Sequence, residues 1–270
     1  MAIKLVALDM DGTLLNEHQE LNPEVAATIR TVRAKGVYVV LASGRPLPGT
    51  LKFLPQLDLL HKDDYVISYN GALVQQTRHG DVLIEHALTY QDYLHLYAAA
   101  LANGLMPVIE DRERMYTDVP VINNLMQFEA FATNMPIQIA SPAQISSEAK
   151  FAKFQCFGTK DGLTKAIANM QPEMAQYYGN RSEPFLLEFV NKEASKGNAL
   201  RELAGKLGLD ASEVMAMGDS HNDESMFDFA GTGVAMGNAI DELKDMATGV
   251  TATNVEDGVA VALKKYILNA

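Results

Sequence analysis

The chain reads as an α/β protein: a core built on a parallel sheet, into which a second domain of mixed α+β content is inserted. Three observations predict this. Short apolar runs without alternation, at residues 5–8, 37–41 and 214–217, mark strands buried on both faces of a parallel sheet. A helical pattern lies between the first two, giving strand–helix–strand, the unit of such a sheet. From about residue 83 to 188 the texture changes to helices mixed with several non-alternating strands, which indicates a separate layer architecture. Residues 1–82 and 189–270 are therefore assigned to the core and 83–188 to the inserted domain; a length of 270 residues suits one to two domains.

The elements follow in order. Residues 4–15 read KLVALDMDGTLL. The first strand ends in Asp9 and Asp11, at the end of the sheet where ligands of open α/β folds collect. Two carboxylates so close repel and call for a positive partner, and Mg²⁺, which prefers oxygen ligands, is the usual one. An Asx turn with Gly12 supplying the bend is the other reading of the same residues. Asn22 and Pro23 form an N-cap and first helical position for a helix to about residue 35, and Gly36 stops it.

Strand 37–41 runs into Ala42-Ser43-Gly44-Arg45-Pro46. Ser43 offers a hydroxyl donor and Gly44 lets a backbone N–H approach an anion. By itself the loop is also an ordinary turn into a helix over about 48–57. A third strand at 65–69 precedes Asn70-Gly71, a strong turn dipeptide, with hairpin arms at 73–74 and 82–84.

In the inserted domain Thr89 caps a helix to about residue 103. Strands are expected at 106–109, 114–117, 153–158, 176–179 and 185–189, and helices at 121–132 and 161–170. Arg112, Arg114, Tyr116 and Lys153 are residues that either meet a substrate or serve surface and packing.

Beyond it, Ser195 caps a helix to about residue 207, with Gly208 as its stop. Lys196 lies in the first turn, where the helix dipole disfavours a cation. It is surface decoration or is aimed at an anion. Strand 214–217 leads into Gly218-Asp219-Ser220-His221-Asn222-Asp223, an acidic loop that alone reads as a turn. A strand at 233–236, a helix from Gly237 to about 247 and a last helix ending near 267 complete the core.

Composition narrows the partners. A formal net charge of -12 argues against a nucleic-acid binder, which carries a basic patch. No apolar run approaches the roughly 18 residues of a membrane span, and the first strand follows Met1 directly, so a cytoplasmic protein is expected. The single Cys156 excludes an intrachain disulfide and suits a reducing compartment; between Phe154 and Phe157 it reads as an inert buried thiol. Against so acidic a background, an anionic ligand needs a pocket made locally positive by Mg²⁺, a lysine and helix N-termini.

Four strings, DMDGTLL, the serine of ASGRP, the lysine of NKEASKGNAL, and GDSHND, resemble in order the four motifs of haloacid dehalogenase superfamily phosphatases. They span nearly the whole chain. The insertion falls between the second motif and the lysine motif, which resembles the C2 cap position of the Cof-type sugar-phosphatase subfamily. The resemblance implies a Rossmann-like core with a C2 cap, and Mg²⁺-dependent hydrolysis of a small phosphorylated metabolite, sugar phosphates favoured. It casts Asp9 as the nucleophile that forms an aspartyl-phosphate and Asp11 as the general acid and base. Ser43, the Gly44 and Met10 amides, Lys196 and Asn222 become phosphate holders. Mg²⁺ falls to the side chains of Asp9 and Asp219 and the backbone carbonyl of Asp11. Asp223 orients the metal site or Lys196. Arg45 is either an electrostatic neighbour of the site or a surface ion-pair residue. His221 occupies a variable position, is expected to be exposed and has no role. The strings GVAMGNA and EDGVA are structural. A phosphomutase or a non-catalytic phosphometabolite sensor on the same scaffold is the alternative.

Overall fold

The computed structural model describes residues 2–269. They group into two compact units, one running up to Glu85 and resuming at Ser195, the other spanning His86–Ala194.

The first unit holds a sheet in the order Gly249–Val250, Thr232–Ala235, Val214–Gly218, Leu5–Leu8, Tyr38–Ala42, Tyr65–Ser68, Leu73–Gln76, Val82–Glu85. The first six are parallel, and the last two add on antiparallel at one edge. Leu5–Leu8 and Val214–Gly218 lie side by side in the middle, Leu8 opposite Met217, and both are buried along their whole length. The loops that leave them, carrying Asp9 and Asp219, therefore emerge next to each other. Helix Pro23–Ala34 starts as the sequence indicates: the Asn22 side chain accepts from the Glu24 amide, and Pro23 sits in the first turn. Val25, Ala26, Ile29 and Val32 form its buried stripe against the sheet core.

The second unit is organised around a sheet in the order Tyr178–Glu183, Leu186–Val190, Lys153–Phe157, Met106–Glu110, Met115–Thr117, Ile137–Ile139. It is antiparallel except for the last pair. Ile109, Phe154, Cys156, Leu187 and Phe189 pack with residues of helices Tyr90–Ala102 and Lys160–Asn169. Val108, Met115, Phe157 and Leu186 form a second cluster with Met126 of helix Asn124–Thr133.

Several expectations shift. The unit boundaries fall at Glu85 and Ser195 rather than at 82 and 189. Val82–Glu85 finishes the first sheet by pairing with Leu73–Gln76, and Leu186–Val190 is interior to the second sheet. The helix expected over 48–57 is two short pieces, Leu47–Thr50 and Leu54–Leu57; Pro55 has no N–H to continue the first into the second. The helix expected from Gly237 begins only at Asp241, because Gly237 is pressed against the Thr251–Thr253 backbone and Asn238 reaches back to the Gly12 carbonyl. Strand Ile137–Ile139 is too short and too exposed to give a pattern. Among the described residues, no helix is long and apolar enough to cross a membrane.

Lys153, one of the residues left open between substrate and packing, is buried in a charged cluster of the second unit. Its ammonium lies 2.6 Å from Glu188 and 3.8 Å from both Glu110 and Glu129. Glu110 is fully buried, and neither carboxylate oxygen has a hydrogen-bond partner. Burial pushes its carboxyl up to about 8; Lys153 opposes this, and Glu129, Glu188 and Asp111 add to it. Because the folded-state value lies above the unfolded one, the native unit retains a proton that the unfolded chain gives up. Stability from this group is complete below the ordinary carboxylate range and is lost as pH rises toward 8, at roughly 1 kcal/mol per pH unit. Glu110→Gln is expected to flatten that decline. Melting temperatures at pH 5 and pH 8 should lie closer together in the variant than in the wild type; an unchanged gap would show that Glu110 is ionised throughout.

Candidate active site

The site is built at the carboxyl end of the two central strands. Asp9 directly follows the first strand, and its amide donates to the Met217 carbonyl at 3.0 Å, which ties the two strand ends together. Its carboxylate is buried. Oδ1 accepts from Lys196 Nζ at 2.5 Å, and Oδ2 has no hydrogen-bond partner. Lys196 is buried as well and bridges to Asp223 Oδ1 at 2.7 Å. It is carried in the first turn of helix Lys196–Lys206, which Ser195 caps by accepting from the Asn198 amide. The helix dipole is unfavourable there; two carboxylates outweigh it.

Asp223 is fully committed. Its Oδ1 takes the lysine, and its Oδ2 accepts from the Asp219 and Ser220 amides at 2.9 and 3.1 Å. It thus shapes the loop that presents Asp219. Asp219 Oδ1 accepts from the Thr13 hydroxyl at 2.8 Å. Gly12, at φ +86°, lies so close that a Cβ there would collide with the Asp219 carboxylate, so this turn requires glycine on both conformational and steric grounds.

The electrostatics follow from burial. The Asp9 carboxyl is pushed well up, first by desolvation and then by Asp223, with Lys196 opposing. Asp219 is also raised, chiefly by burial, against the pull of the Thr13 hydroxyl. Burial alone would lower the Lys196 ammonium, but Asp223 and Asp9 outweigh it and hold the group above its ordinary value. Excess negative charge in a poorly solvated place is the condition that a cation relieves.

Oxygens of Asp9, Asp219 and Asp223 lie within 4.8 Å of one another. Each of the three could offer an oxygen to a metal; Asp223 is the most heavily engaged of them, with Lys196 on Oδ1 and two amides on Oδ2. The unpartnered, buried Oδ2 of Asp9 and the all-oxygen donor set fit a hard divalent cation.

Asp11 sits apart from this cluster. Its side chain is half exposed, and Arg45 grips both oxygens, Nε to Oδ2 at 2.9 Å and Nη2 to Oδ1 at 2.6 Å. Arg45 also donates to Gln19. Of the two readings of Arg45, the geometry makes it the direct partner of Asp11. Ser43 is buried at the end of the neighbouring strand, and its Oγ accepts from the Arg45 amide at 3.2 Å. Gly44 follows it, facing the side chain of Asn70. Asn222 donates to Asn70 Oδ1 at 3.1 Å. Met10 is buried, and its carbonyl accepts from the Leu15 amide at 2.9 Å. His221 is exposed and pairs with Glu224 at 2.8 Å.

Four residues around the site were not assigned roles from the sequence: Thr13, Asn70, Asn238 and Asn254. Asn238 donates to the Gly12 carbonyl at 2.8 Å and Asn254 to the Leu15 carbonyl at 2.9 Å, so both brace the loop after the first strand. That gives the GVAMGNA string its structural purpose. The hydroxyl in DGT was the only signal for Thr13.

A parallel sheet that brings a buried carboxylate, a lysine and an acidic loop to one end suits the hydrolysis of a phosphate ester. The comparisons with known proteins agree. The chain belongs to the haloacid dehalogenase-like hydrolase family, whose model matches residues 6–263, and it is a phosphatase. YxeH of Bacillus subtilis is 38% identical over 266 residues, covering 98% of both chains. The B. subtilis 5-amino-6-(5-phospho-D-ribitylamino)uracil phosphatase YcsE is 32% identical over 266 residues, covering 98% of this chain and 96% of its own. A crystal structure of a haloacid dehalogenase-like hydrolase from Bacteroides thetaiotaomicron superposes with a TM-score of 0.87 at 32% identity, covering 97% and 99% of the two chains.

Proposed function

We propose that the chain hydrolyses phosphate monoesters of small polyhydroxylated metabolites, sugar phosphates foremost, with Mg²⁺ as its cation and a phosphoenzyme intermediate on Asp9. The observation that carries this reading is the Asp9 carboxylate: buried, steadied on one oxygen by Lys196, open on the other. Such a group is desolvated and oriented, as a nucleophile toward phosphorus must be.

The side chains of Asp9 and Asp219, with the Asp11 backbone carbonyl, would hold the Mg²⁺. When bound, the ion supplies charge neutralisation for the phosphate and for the clustered carboxylates. The chain's own residues do the rest. Asp9 attacks phosphorus in line with the leaving oxygen. Asp11 gives its proton to that oxygen as the ester bond breaks, then takes a proton from the water that cleaves the aspartyl-phosphate. Lys196, Ser43, the Gly44 and Met10 amides and Asn222 hold the non-bridging oxygens, where charge accumulates. Since Arg45 grips both Asp11 oxygens, Asp11 must leave that pair and take up a proton from solvent before it acts as the acid. The name of YcsE places its phosphate on a ribityl chain, which supports a polyol or sugar ester as the substrate class.

The test is release of inorganic phosphate from p-nitrophenyl phosphate, followed by a panel of sugar and polyol phosphates. Turnover is expected with Mg²⁺, abolished by EDTA and restored by excess Mg²⁺. Absence of hydrolysis across the panel, or full activity in EDTA, would overturn the reading.

A further inference from the structure

The Asn70-Gly71 pair reads in the sequence as a turn and has no part in the function proposed above. Its backbone is unusual. Tyr69, Asn70 and Gly71 are three consecutive residues at positive φ, +52°, +54° and +97°. Glycine adopts that region freely and asparagine tolerates it, but a tyrosine there is an outlier. Tyr69 is also fully buried. Such a conformation persists only where the surroundings over-determine it, and it is often found at functional sites.

The surroundings here are the phosphate-binding candidates. The Tyr69 amide donates to the Arg45 carbonyl at 3.1 Å and the Asn70 amide to the Ser43 carbonyl at 2.9 Å. These two bonds clamp the backbone on either side of Gly44. Gly71 is pressed against the start of the helix that carries Lys196: a Cβ on it would overlap the Ser195 carbonyl and stand 3.0 Å from the Lys196 amide nitrogen. The Asn70 side chain does more. Its Oδ1 accepts from Asn222 Nδ2 at 3.1 Å, and its Nδ2 stands 3.2 Å from where a Cβ on Gly44 would be. One residue thus joins three segments that are far apart in sequence.

We propose that Asn70 is a positioning residue of the phosphate pocket. A carboxamide nitrogen carries two hydrogens. Committing one of Asn222's hydrogens to Asn70 fixes the plane of the group and leaves the other to meet a phosphate oxygen. The Asn70 backbone meanwhile holds the Ser43-Gly44-Arg45 loop in the shape that presents its hydroxyl and amide. This inference rests on the phosphatase reading and deepens it.

The experiment uses inorganic phosphate as a competitive inhibitor of p-nitrophenyl phosphate turnover. It compares wild type, Asn70→Gly, Asn222→Ala and the double variant. Asn70→Gly keeps a residue at ease with positive φ and deletes only the carboxamide. Each single substitution is expected to raise the phosphate Ki and the substrate KM roughly tenfold, with a smaller fall in kcat. The double variant should be little worse than the poorer single one, because the two residues act through one contact. A wild-type Ki in Asn70→Gly, or effects that multiply in the double variant, would overturn the proposal. Asn222→Ala leaves the 69–71 loop intact, so an unchanged Ki in that variant overturns it even where Asn70→Gly folds poorly. A wild-type enzyme without hydrolysis sinks the phosphatase reading itself; an active wild type with an unaltered Asn70→Gly sinks only the role of Asn70.

Discussion

Asp9→Asn is expected to abolish phosphatase turnover, by roughly four orders of magnitude or more, while leaving the fold intact. In the proposed mechanism the loss follows because a carboxamide oxygen does not form the acyl phosphate; no neighbouring carboxylate can take over, since Asp223 is tied up on both oxygens and Asp219 leaves the adjoining strand. The retained fold follows from the charge arrangement. Asp9 is buried among Asp223 and Asp219 with one ammonium for all of them, and its carboxyl is pushed well up as a result. Replacing it by a neutral isostere removes an ion that burial disfavours and leaves Lys196 paired with Asp223. The melting temperature should therefore equal or exceed that of the wild type. Steady-state hydrolysis of p-nitrophenyl phosphate and a thermal melt decide the matter together. A variant that is inactive because it is unfolded, or one that turns over at the native rate, would each contradict the assignment.

How far the sequence reveals this site depends on which kind of signal each residue carries. Asp9, Ser43 and Asp219 stand just beyond apolar runs, which puts them at strand ends, but each loop alone also reads as a turn and Lys196 as surface decoration; the resemblance of the four strings to the family motifs is what draws them to one site. Asn70 and Arg45 carry no such signal. Asn-Gly is the commonest form of a hairpin turn, and nothing in the dipeptide tells that its side chain meets Asn222, 152 residues away. Arg45 follows a strand and precedes a proline, a place where surface arginines are ordinary; only the coordinates show both Asp11 oxygens in its fork. The fold behaves the same way. The strands buried on both faces are evident from composition. The hairpin edge Val82–Glu85 and the exposed strand Ile137–Ile139 are fixed by partners distant in the chain rather than by their own pattern. The 48–57 stretch splits into two short helices because Pro55 cannot continue the first into the second.

Lys196→Met carries the second large effect, and it separates stability from catalysis. The ammonium is buried between Asp9 at 2.5 Å and Asp223 at 2.7 Å. Removing it leaves two desolvated carboxylates without the ammonium that bridges them, a change worth about 3–5 kcal/mol, or a drop in melting temperature on the order of 10 °C for a protein of this size. On the proposed function the same substitution also removes a charge that steadies the phosphate and should lower kcat by a further factor of roughly 10² to 10³. Adding Asp223→Asn to Lys196→Met takes away one of the stranded carboxylates, so the double variant should regain part of the lost stability and none of the lost rate. The sign of the pH dependence gives an independent check. Asp9 already has its folded-state carboxyl raised above the unfolded value, and without the lysine that elevation grows. Its protonated form is then the one the native state prefers. The stability deficit of Lys196→Met should be smallest below the ordinary carboxylate range and widen as the pH climbs through the raised native value. Melts of the metal-free variant and wild type between pH 4 and pH 8 measure that widening directly; parallel curves would mean that the lysine does not carry the charge balance of the site.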